Sequence, residues 1–324
     1  IYSSVNAYFG HHEGVPELDL AAAYRDYLAR IVRPVSRFEF DLATLEFMAR
    51  LRNGHTDFSD RWLFEAGGRP VGFTARRSAD AWVVHTSRVD GLAPGDVIRS
   101  IDGAPAESFI QERLRYVPAS SETEGVRKLW GRPYLFPASF AVELADGRTI
   151  PIDRPGQALG PSSEPAYEER PADASGIAYV RIPSFGDPEM ERRAVAFVEA
   201  NAKADALVLD VRGNGGGTTP VALIEALMDG PYRGFTESTT ATYALFAAYA
   251  KIARENPPEA FGDYLRGFLD AFRDKGRLEL RMSSGLVDPG EPVYDGPIFV
   301  LVDRGCASAC EDFVMPLRVG DRAT

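Results

Sequence analysis

The sequence predicts a mixed α/β protein with more than one domain, on three observations. Apolar residues recur at helical spacing before residue 67, and short strand-and-turn patterns fill residues 67–152. From residue 175 strands alternate with helices, which predicts a mostly parallel sheet. With 324 residues, 45% of them hydrophobic, the chain is long enough for two or three domains with real cores.

The N-terminal segment, residues 1–66, is predicted to be helical. Residues 17–31 and 41–52 carry apolar side chains at helical spacing. Asp41 is the expected N-cap of the second helix, and Asn53-Gly54 is the expected turn after it.

Residues 67–152 are predicted to form a small β-rich module, followed by a linker. A strand is expected at 81–87, and "GLAPGDVIRSIDGAPAESF" at 91–109 predicts a turn, a short buried strand, an Asp-Gly turn and a helix start. A hairpin is expected around Asp146-Gly147, whereas residues 117–137 do not fit this pattern. Residues 153–174 are rich in Pro, Gly, Ser and acidic residues, which predicts a linker.

Residues 175–324 are predicted to form the α/β core, with near-continuous apolar strands that are typical of a sheet covered on both faces. Its expected strands and helices are, in chain order, 176–185, 188–203, 205–213, 219–229, 296–303 and 309–319. Residues 237–283 interrupt this alternation with two aromatic-rich amphipathic helices, a candidate lid, substrate wall or dimer face.

Composition excludes several classes of function. The net charge of −11 argues against nucleic acid and anionic lipid as partners, and no apolar run reaches the roughly 18–20 residues of a membrane helix. Two cysteines and four histidines make a metal site improbable, so we expect neither metal nor cofactor. Whether Cys306 and Cys310 pair stays open; pairing favours an oxidising compartment, periplasmic or secreted rather than cytoplasmic.

Two segments have the features of a catalytic site. In "LVLDVRGNGGGT" (207–218) a strand is followed by four glycines within five positions, which leave N–H groups bare for an oxyanion. In "RGCASACED" (304–312) Ser308 is expected at a helix N-terminus, with the N–H of Ala309 beside its hydroxyl. A plain strand-to-helix turn and a serine N-cap are the alternatives for the two segments.

Together, "GIAYVRIPSF", "ALVLDVRGNGGG" and "GPIFVLVDRGCASACE" resemble, in this order, the S41 peptidases, which include the C-terminal processing and tricorn-like proteases. The resemblance implies a ClpP/crotonase-like catalytic core preceded by a PDZ-like β-rich module and the N-terminal helical segment. "GLAPGDVIRSIDG" (91–103) carries the PDZ-like part. Such a module accepts a peptide by strand addition, here at Val71, Gly72 and Phe73, unless it only serves packing.

The same resemblance assigns the site residues. It implies Ser308 as the nucleophile and the N–H groups of Gly216 and Ala309 as the oxyanion hole. One branch of the family has a lysine base that lies farther after the serine than the given sequence extends past Ser308, so we expect the branch that uses a histidine base. "RLRNGHTDF" (50–58) resembles the "DGHT"-like motif of that branch and implies His55 as the base. We expect the third catalytic residue beyond residue 324, with the chain stopping inside the catalytic core.

The function expected from these residues is that of a serine endopeptidase acting on protein or peptide substrates, with a homo-oligomer as a candidate state. A second hypothesis is a non-catalytic protein that binds a peptide or apolar ligand on the same scaffold. An acyl-CoA enzyme of the crotonase type is a third, although nothing in the sequence indicates a nucleotide pocket.

Overall fold

The computed structural model describes residues 1–33, 35–156, 159–160, 166–240, 242–255, 270, 273, 279–283 and 286–324. The chain divides into two compact units, residues 1–164 and residues 165–324. Each unit has its own hydrophobic core and is described by itself.

Four helices open the first unit, and two of them match the predicted helices at 17–31 and 41–52. Their bounds are Tyr2–Tyr8 (α1), Leu20–Ile31 (α2), Arg37–Ala49 (α3) and Arg61–Gly67 (α4). The side chain of Asp19 caps α2 by accepting the N–H of Ala22 at 2.8 Å. Tyr27 of α2 packs against Phe47 of α3 in a small core of their own.

The predicted N-cap role of Asp41 is wrong. Helix α3 begins four residues earlier, at Arg37, and Ser36 caps it. The Ser36 hydroxyl accepts the N–H of Glu39, and the Glu39 carboxylate accepts the N–H of Ser36. This reciprocal capping box satisfies two otherwise unpaired donors, so the helix starts there. Asp41 instead lies inside the helix, with only 1% of its surface exposed.

Replacing Asp41 by Asn is expected to stabilise the protein at neutral pH. Removal from water and the nearby Asp60 carboxylate raise the pKa of Asp41, and its Oδ2 has no hydrogen-bond partner among the described residues. A raised folded-state pKa means that stability is lost as the pH rises through that pKa, above the ordinary value of 3.8. We expect Asp41→Asn to gain about 1 kcal/mol at pH 7.

Thermal unfolding at pH 7 and pH 4 measures this effect, with the exposed Asp26→Asn as the control. The advantage of Asp41→Asn should shrink at the lower pH. Equal changes for both variants, or destabilisation by Asp41→Asn alone, would contradict the expectation.

The β-rich part of the first unit is a six-stranded antiparallel sheet in the order β1-β2-β3-β5-β6, with β4 paired to β3. Its strands and helices are Phe73–Ser78 (β1), Ala81–Ser87 (β2), Val97–Ile101 (β3), Ala104–Pro105 (β4), Ala106–Leu114 (α5), Glu122–Leu129 (α6), Ser139–Leu144 (β5) and Thr149–Asp153 (β6). The predicted strand at 81–87, the strand–turn–helix after residue 96 and the hairpin at Asp146-Gly147 are confirmed. Residues 117–137, which did not fit, contain α6.

The second unit contains the predicted mostly parallel sheet, in the order β12-β9-β8-β7, where only β7 runs antiparallel. Its elements are Glu168–Arg170 (β7), Ile177–Arg181 (β8), Pro188–Ala200 (α7), Ala206–Asp210 (β9), Val221–Leu227 (α8), Thr236–Thr240 (β10), Tyr243–Glu255 (α9), Glu279–Ser283 (β11), Ile298–Leu301 (β12) and Ala309–Val319 (α10). All six strands and helices predicted for this core are therefore present. Ala323 pairs in parallel with Ile298 on the outer side of β12.

Two details of this unit differ from prediction. Strand β12 is not fully buried, because Phe299 and Leu301 remain 43% and 36% exposed. The predicted linker contains a strand, β7, whose three residues are all charged and exposed, so that composition alone indicated a loop.

The insertion at 237–283 is described only in part. Helix α9 matches the first of its two predicted helices, and strands β10 and β11 pair on either side of it. The second predicted helix, at 261–275, lies outside the described residues except for Asp270 and Arg273. In the described parts of the chain, every helix is too short or too polar to cross a bilayer.

Candidate active site

The two glycine-containing segments predicted to carry chemistry lie against each other at the carboxyl ends of β9 and β12. Gly216, with a φ of +97°, lies so close to the Ser308 turn that a Cβ atom on it would be 2.7 Å from the Ser308 Cβ. The same Cβ would be 2.7 Å from the carbonyl oxygen of Ala307. Only glycine fits this approach, because any side chain would displace the backbone of the facing turn.

Hydrogen bonds hold the two segments together. One Asp303 carboxylate oxygen accepts the N–H of Gly213 at 2.8 Å and that of Gly305 at 2.9 Å. The N–H of Ala307 donates to the carbonyl oxygen of Asn214 at 3.2 Å. The Gly213–Asp303 and Asn214–Ala307 bonds join residues about 90 positions apart, so they tie the glycine loop to the serine turn.

Asn214 is the fully buried polar centre of the glycine loop. Its Nδ2 donates to the carbonyl oxygen of Ile182 at 3.1 Å, and its Oδ1 accepts the N–H of Gly216 at 2.9 Å. Sequence reasoning missed both Asn214 and Asp303. Their positions in the sequence could have indicated them, because each is a polar residue where a buried strand is followed by a glycine-containing loop.

Ser308 has a strained backbone conformation, with a φ of +55° and a ψ of −125°. This region is unfavourable for a residue with a side chain, and a serine held there on a strand-to-helix turn presents its hydroxyl outward. The N–H of Glu311 lies near that hydroxyl, but it donates to the Ser308 carbonyl oxygen at 2.7 Å. Glu311 in turn accepts the Ser308 N–H at 2.9 Å, which is one half of a capping box, so Ser308 is the N-cap of α10 while its side chain remains exposed.

The two predicted oxyanion donors differ in their present partners. The N–H of Ala309 makes no hydrogen bond to any described residue, and Ala309 itself is buried at the first position of α10. The N–H of Gly216 is already paired with Asn214. A helix N-terminus favours negative charge, so Ala309 has the geometry expected of an anion donor.

A disulfide joins Cys306 and Cys310, two residues on either side of Ser308. Cys310 is fully buried in the core of the second unit, and Cys306 packs at its edge. The bridge closes the serine turn onto the first turn of α10, so it restricts the backbone that carries the hydroxyl. This answers the question that the sequence left open about these cysteines.

An ion-pair cluster fixes the start of the glycine loop. Asp210 is fully buried at the end of β9, and Arg181, Arg212 and Tyr179 donate to its carboxylate at 2.6–2.8 Å. Burial raises the pKa of Asp210, but these donors outweigh burial and lower it to about 2. The cluster therefore stabilises the fold at neutral pH, and this contribution is lost as the pH falls from about 4 towards 2.

His55 lies in the first unit, exposed in the loop after α3. The side chain of Asn53 shapes this loop, because its Oδ1 accepts the N–H of His55 at 2.9 Å and the hydroxyl of Thr56 at 3.0 Å. Within the described residues of this unit, no hydrogen bond reaches the imidazole. The loop therefore presents the ring to solvent.

The predicted peptide-binding residues present little side-chain surface. Val71 and Phe73 are buried in the core of the first unit, with 1% and 3% of their surfaces exposed. Gly72, with a φ of +87°, lies between them and accepts the N–H of Arg88. A peptide at this position would have to bind the backbone.

The family model described as peptidase family S41 matches residues 176–324. These residues belong to peptidase family S41. They contain the glycine loop, Ser308 and α10, and the match supports a serine peptidase, a hydrolase. No curated protein sequence is significantly similar to this chain.

Two solved structures of one protease, CPAF, share the fold of this chain. Mature CPAF complexed with lactacystin is 12% identical, with a TM-score of 0.69 over 99% of this chain and 81% of that chain. Mature CPAF alone is 14% identical, with a TM-score of 0.66 over 99% and 80% of the two chains. The photosystem II D1 C-terminal processing protease is 20% identical, with a TM-score of 0.46 over 99% and 77%.

Proposed function

We propose that this S41 peptidase is a serine endopeptidase that cleaves peptide bonds in protein or peptide substrates through an acyl-enzyme on Ser308. The observation that carries the proposal is the exposed hydroxyl of Ser308, held at a φ of +55° beside the unpaired N–H of Ala309. Strain of this kind persists where the surrounding structure enforces it, and here the Asp303 and Asn214 bonds do so.

His55 is the proposed general base. It takes the proton of Ser308 as Oγ attacks the substrate carbonyl carbon, and it returns that proton to the leaving amine as the C–N bond breaks. Water then attacks the acyl ester, His55 accepts a proton from it, and Ser308 Oγ leaves and regains a proton as the carboxylate product forms. The motif around His55 and its exposed loop support this role.

The proposed oxyanion hole is the N–H of Ala309 together with that of Gly216. Ala309 is available in the present conformation. Gly216 can serve only if its N–H is shared with, or released from, Asn214. Buried donors of this kind typically contribute about 10²–10³-fold to the rate each.

We also infer a domain organisation that supports this chemistry. Residues 1–66 form a helical segment that carries His55, and residues 67–152 form a PDZ-like module that accepts a peptide by strand addition at the backbone of Gly72. Residues 153–174 are a linker, and residues 175–324 form the ClpP/crotonase-like core. The antiparallel sheet of the first unit and the parallel sheet of the second are consistent with these two folds.

The test is hydrolysis of fluorescently labelled, unfolded casein by the full-length protein. Ser308→Ala should lower the rate by about three orders of magnitude or more. The exposed turn residue Ser175, changed to Ala, is the matched control and should leave the rate unchanged. Ser308→Ala at the wild-type rate would overturn the proposal, as would a wild-type protein that binds casein without cleaving it.

A further inference from the structure

The loop that carries His55 rests on the part of the first unit that fits the PDZ-like pattern least, residues 118–132. This segment contains α6 and the turns on either side of it. Its side chains contact the backbone next to His55 on one side and a carboxylate on the other. Neither the fold of the β-rich module nor the proposed chemistry accounts for these contacts.

On the N-terminal side of His55, both polar groups of Gly54 are held by side chains. The N–H of Gly54 donates to the hydroxyl of Ser120 at 2.9 Å. The carbonyl oxygen of Gly54 accepts from the ammonium of Lys128 at 2.5 Å, a charge-assisted hydrogen bond. The peptide groups next to His55 are therefore fixed by residues 66 and 74 positions away.

Glu124 holds these two anchors in place. Its carboxylate pairs with Lys128 at 2.9 Å and accepts the N–H of Ser120 at 2.7 Å. Partial burial raises the pKa of Glu124, but these bonds outweigh burial and keep it below its ordinary value. The carboxylate fills the space beside Gly54, where a Cβ would lie 2.1 Å from it. Glu124 and Lys128 are each only 20% exposed, so solvent weakens the pair little.

On the C-terminal side, Asp57 forms an ion pair with Arg132. Arg132 is buried and also donates to the hydroxyl of Tyr134 at 2.7 Å. His55 thus lies between two anchored positions, Gly54 and Asp57, whose partners come from the same segment.

We propose that Ser120 and Lys128 are positioning residues for the His55 base, with Glu124 orienting both. This inference rests on the proposed function, in which His55 activates Ser308. A proton transfer requires the imidazole within hydrogen-bond reach of the hydroxyl, and a displacement of about 1 Å costs on the order of 100-fold in rate. Losing an anchor should therefore slow the chemistry and leave substrate binding alone.

The experiment measures the rate of fluorophosphonate labelling of Ser308 and the kcat and KM for casein in the full-length protein. We expect Lys128→Met to lower kcat and the labelling rate by about 10- to 100-fold with KM unchanged. Arg127→Met removes the same charge from an exposed neighbouring position and should match the wild type. In a His55→Ala background, Lys128→Met should lower neither kcat nor the labelling rate any further.

Ser120 supplies a second series in case Lys128→Met does not fold. Ser120→Ala should lower kcat, and Ser120→Thr, which keeps the hydroxyl, should restore it. If His55→Ala were labelled at the wild-type rate, His55 could not be the base, and the proposed function would be overturned as well. If His55→Ala were labelled slowly while the separate variants Lys128→Met and Ser120→Ala were labelled at the wild-type rate, only the positioning roles would be overturned. A further loss by Lys128→Met in the His55→Ala background would do the same.

Discussion

Gly216→Ala is expected to abolish peptide hydrolysis while the protein remains folded. The new Cβ would lie 2.7 Å from both the Ala307 carbonyl oxygen and the Ser308 Cβ. Real Cβ atoms do not approach backbone so closely, so the glycine loop and the serine turn must separate. Because the two proposed oxyanion donors, Gly216 and Ala309, lie on these two segments, we expect kcat/KM for casein to fall by at least about 100-fold.

Gly147→Ala is the control that separates the effect of the steric clash at Gly216 from the effect of backbone strain. Gly147 has a nearly identical φ, +91° against +97° at Gly216, and no atom lies within 4 Å of its Cβ position. Gly147→Ala therefore carries the strain of a left-handed alanine, about 1–2 kcal/mol, without a clash. Equal activities of the two variants would contradict the close approach of the glycine loop to Ser308.

His55→Ala is the second large effect that we expect. Loss of a general base typically costs about 10²–10⁴-fold in kcat/KM, and we expect the proposed oxyanion donors to account for the activity that remains. The measurement is casein hydrolysis, with thermal unfolding to show that the first unit stays folded. Added imidazole should restore part of the activity, because it can act as the base in the vacated space.

His12→Ala is the matched control for this variant. His12 lies exposed in a short turn of 3₁₀ helix of the same unit and has no part in the proposed chemistry. Its replacement should leave kcat/KM unchanged. If His55→Ala and His12→Ala had the same activity, another group would have to serve as the base.

Local patterns were enough to predict most of the fold. The strand at 81–87 and the helix that begins at Ala309 were confirmed to the residue, because their apolar periodicity and flanking turns act within a few positions. The N-cap of α3 was wrong because Ser36 and Glu39 compete with Asp41 for the same role, and the reciprocal pair wins. The exposure of Phe299 depends on which distant parts of the chain pack against β12, and the residues next to Phe299 in the sequence do not indicate this.

The sequence motifs of the candidate site could be predicted, but the residues that hold those motifs in place by hydrogen bonds could not. The glycine run and Ser308 stand out because few other sequences make such a turn. Asn214 and Asp303 act through bonds to residues about 90 positions away, and Lys128 reaches Gly54 across 74 positions. Such contacts are set by tertiary packing, so spacing in the sequence gives no sign of them. The catalytic roles of Ser308, His55, Gly216 and Ala309 stay predictions.

Peptide mapping by mass spectrometry after fluorophosphonate treatment tests the central claim most directly. The full-length protein should carry one phosphonyl group on Ser308, formed by attack of Oγ with loss of fluoride, and His55→Ala should acquire it at least about 100-fold more slowly. An unlabelled Ser308 in a protein that still hydrolyses casein, or an adduct on another residue that tracks the loss of activity, would contradict the assignment of Ser308 as the nucleophile.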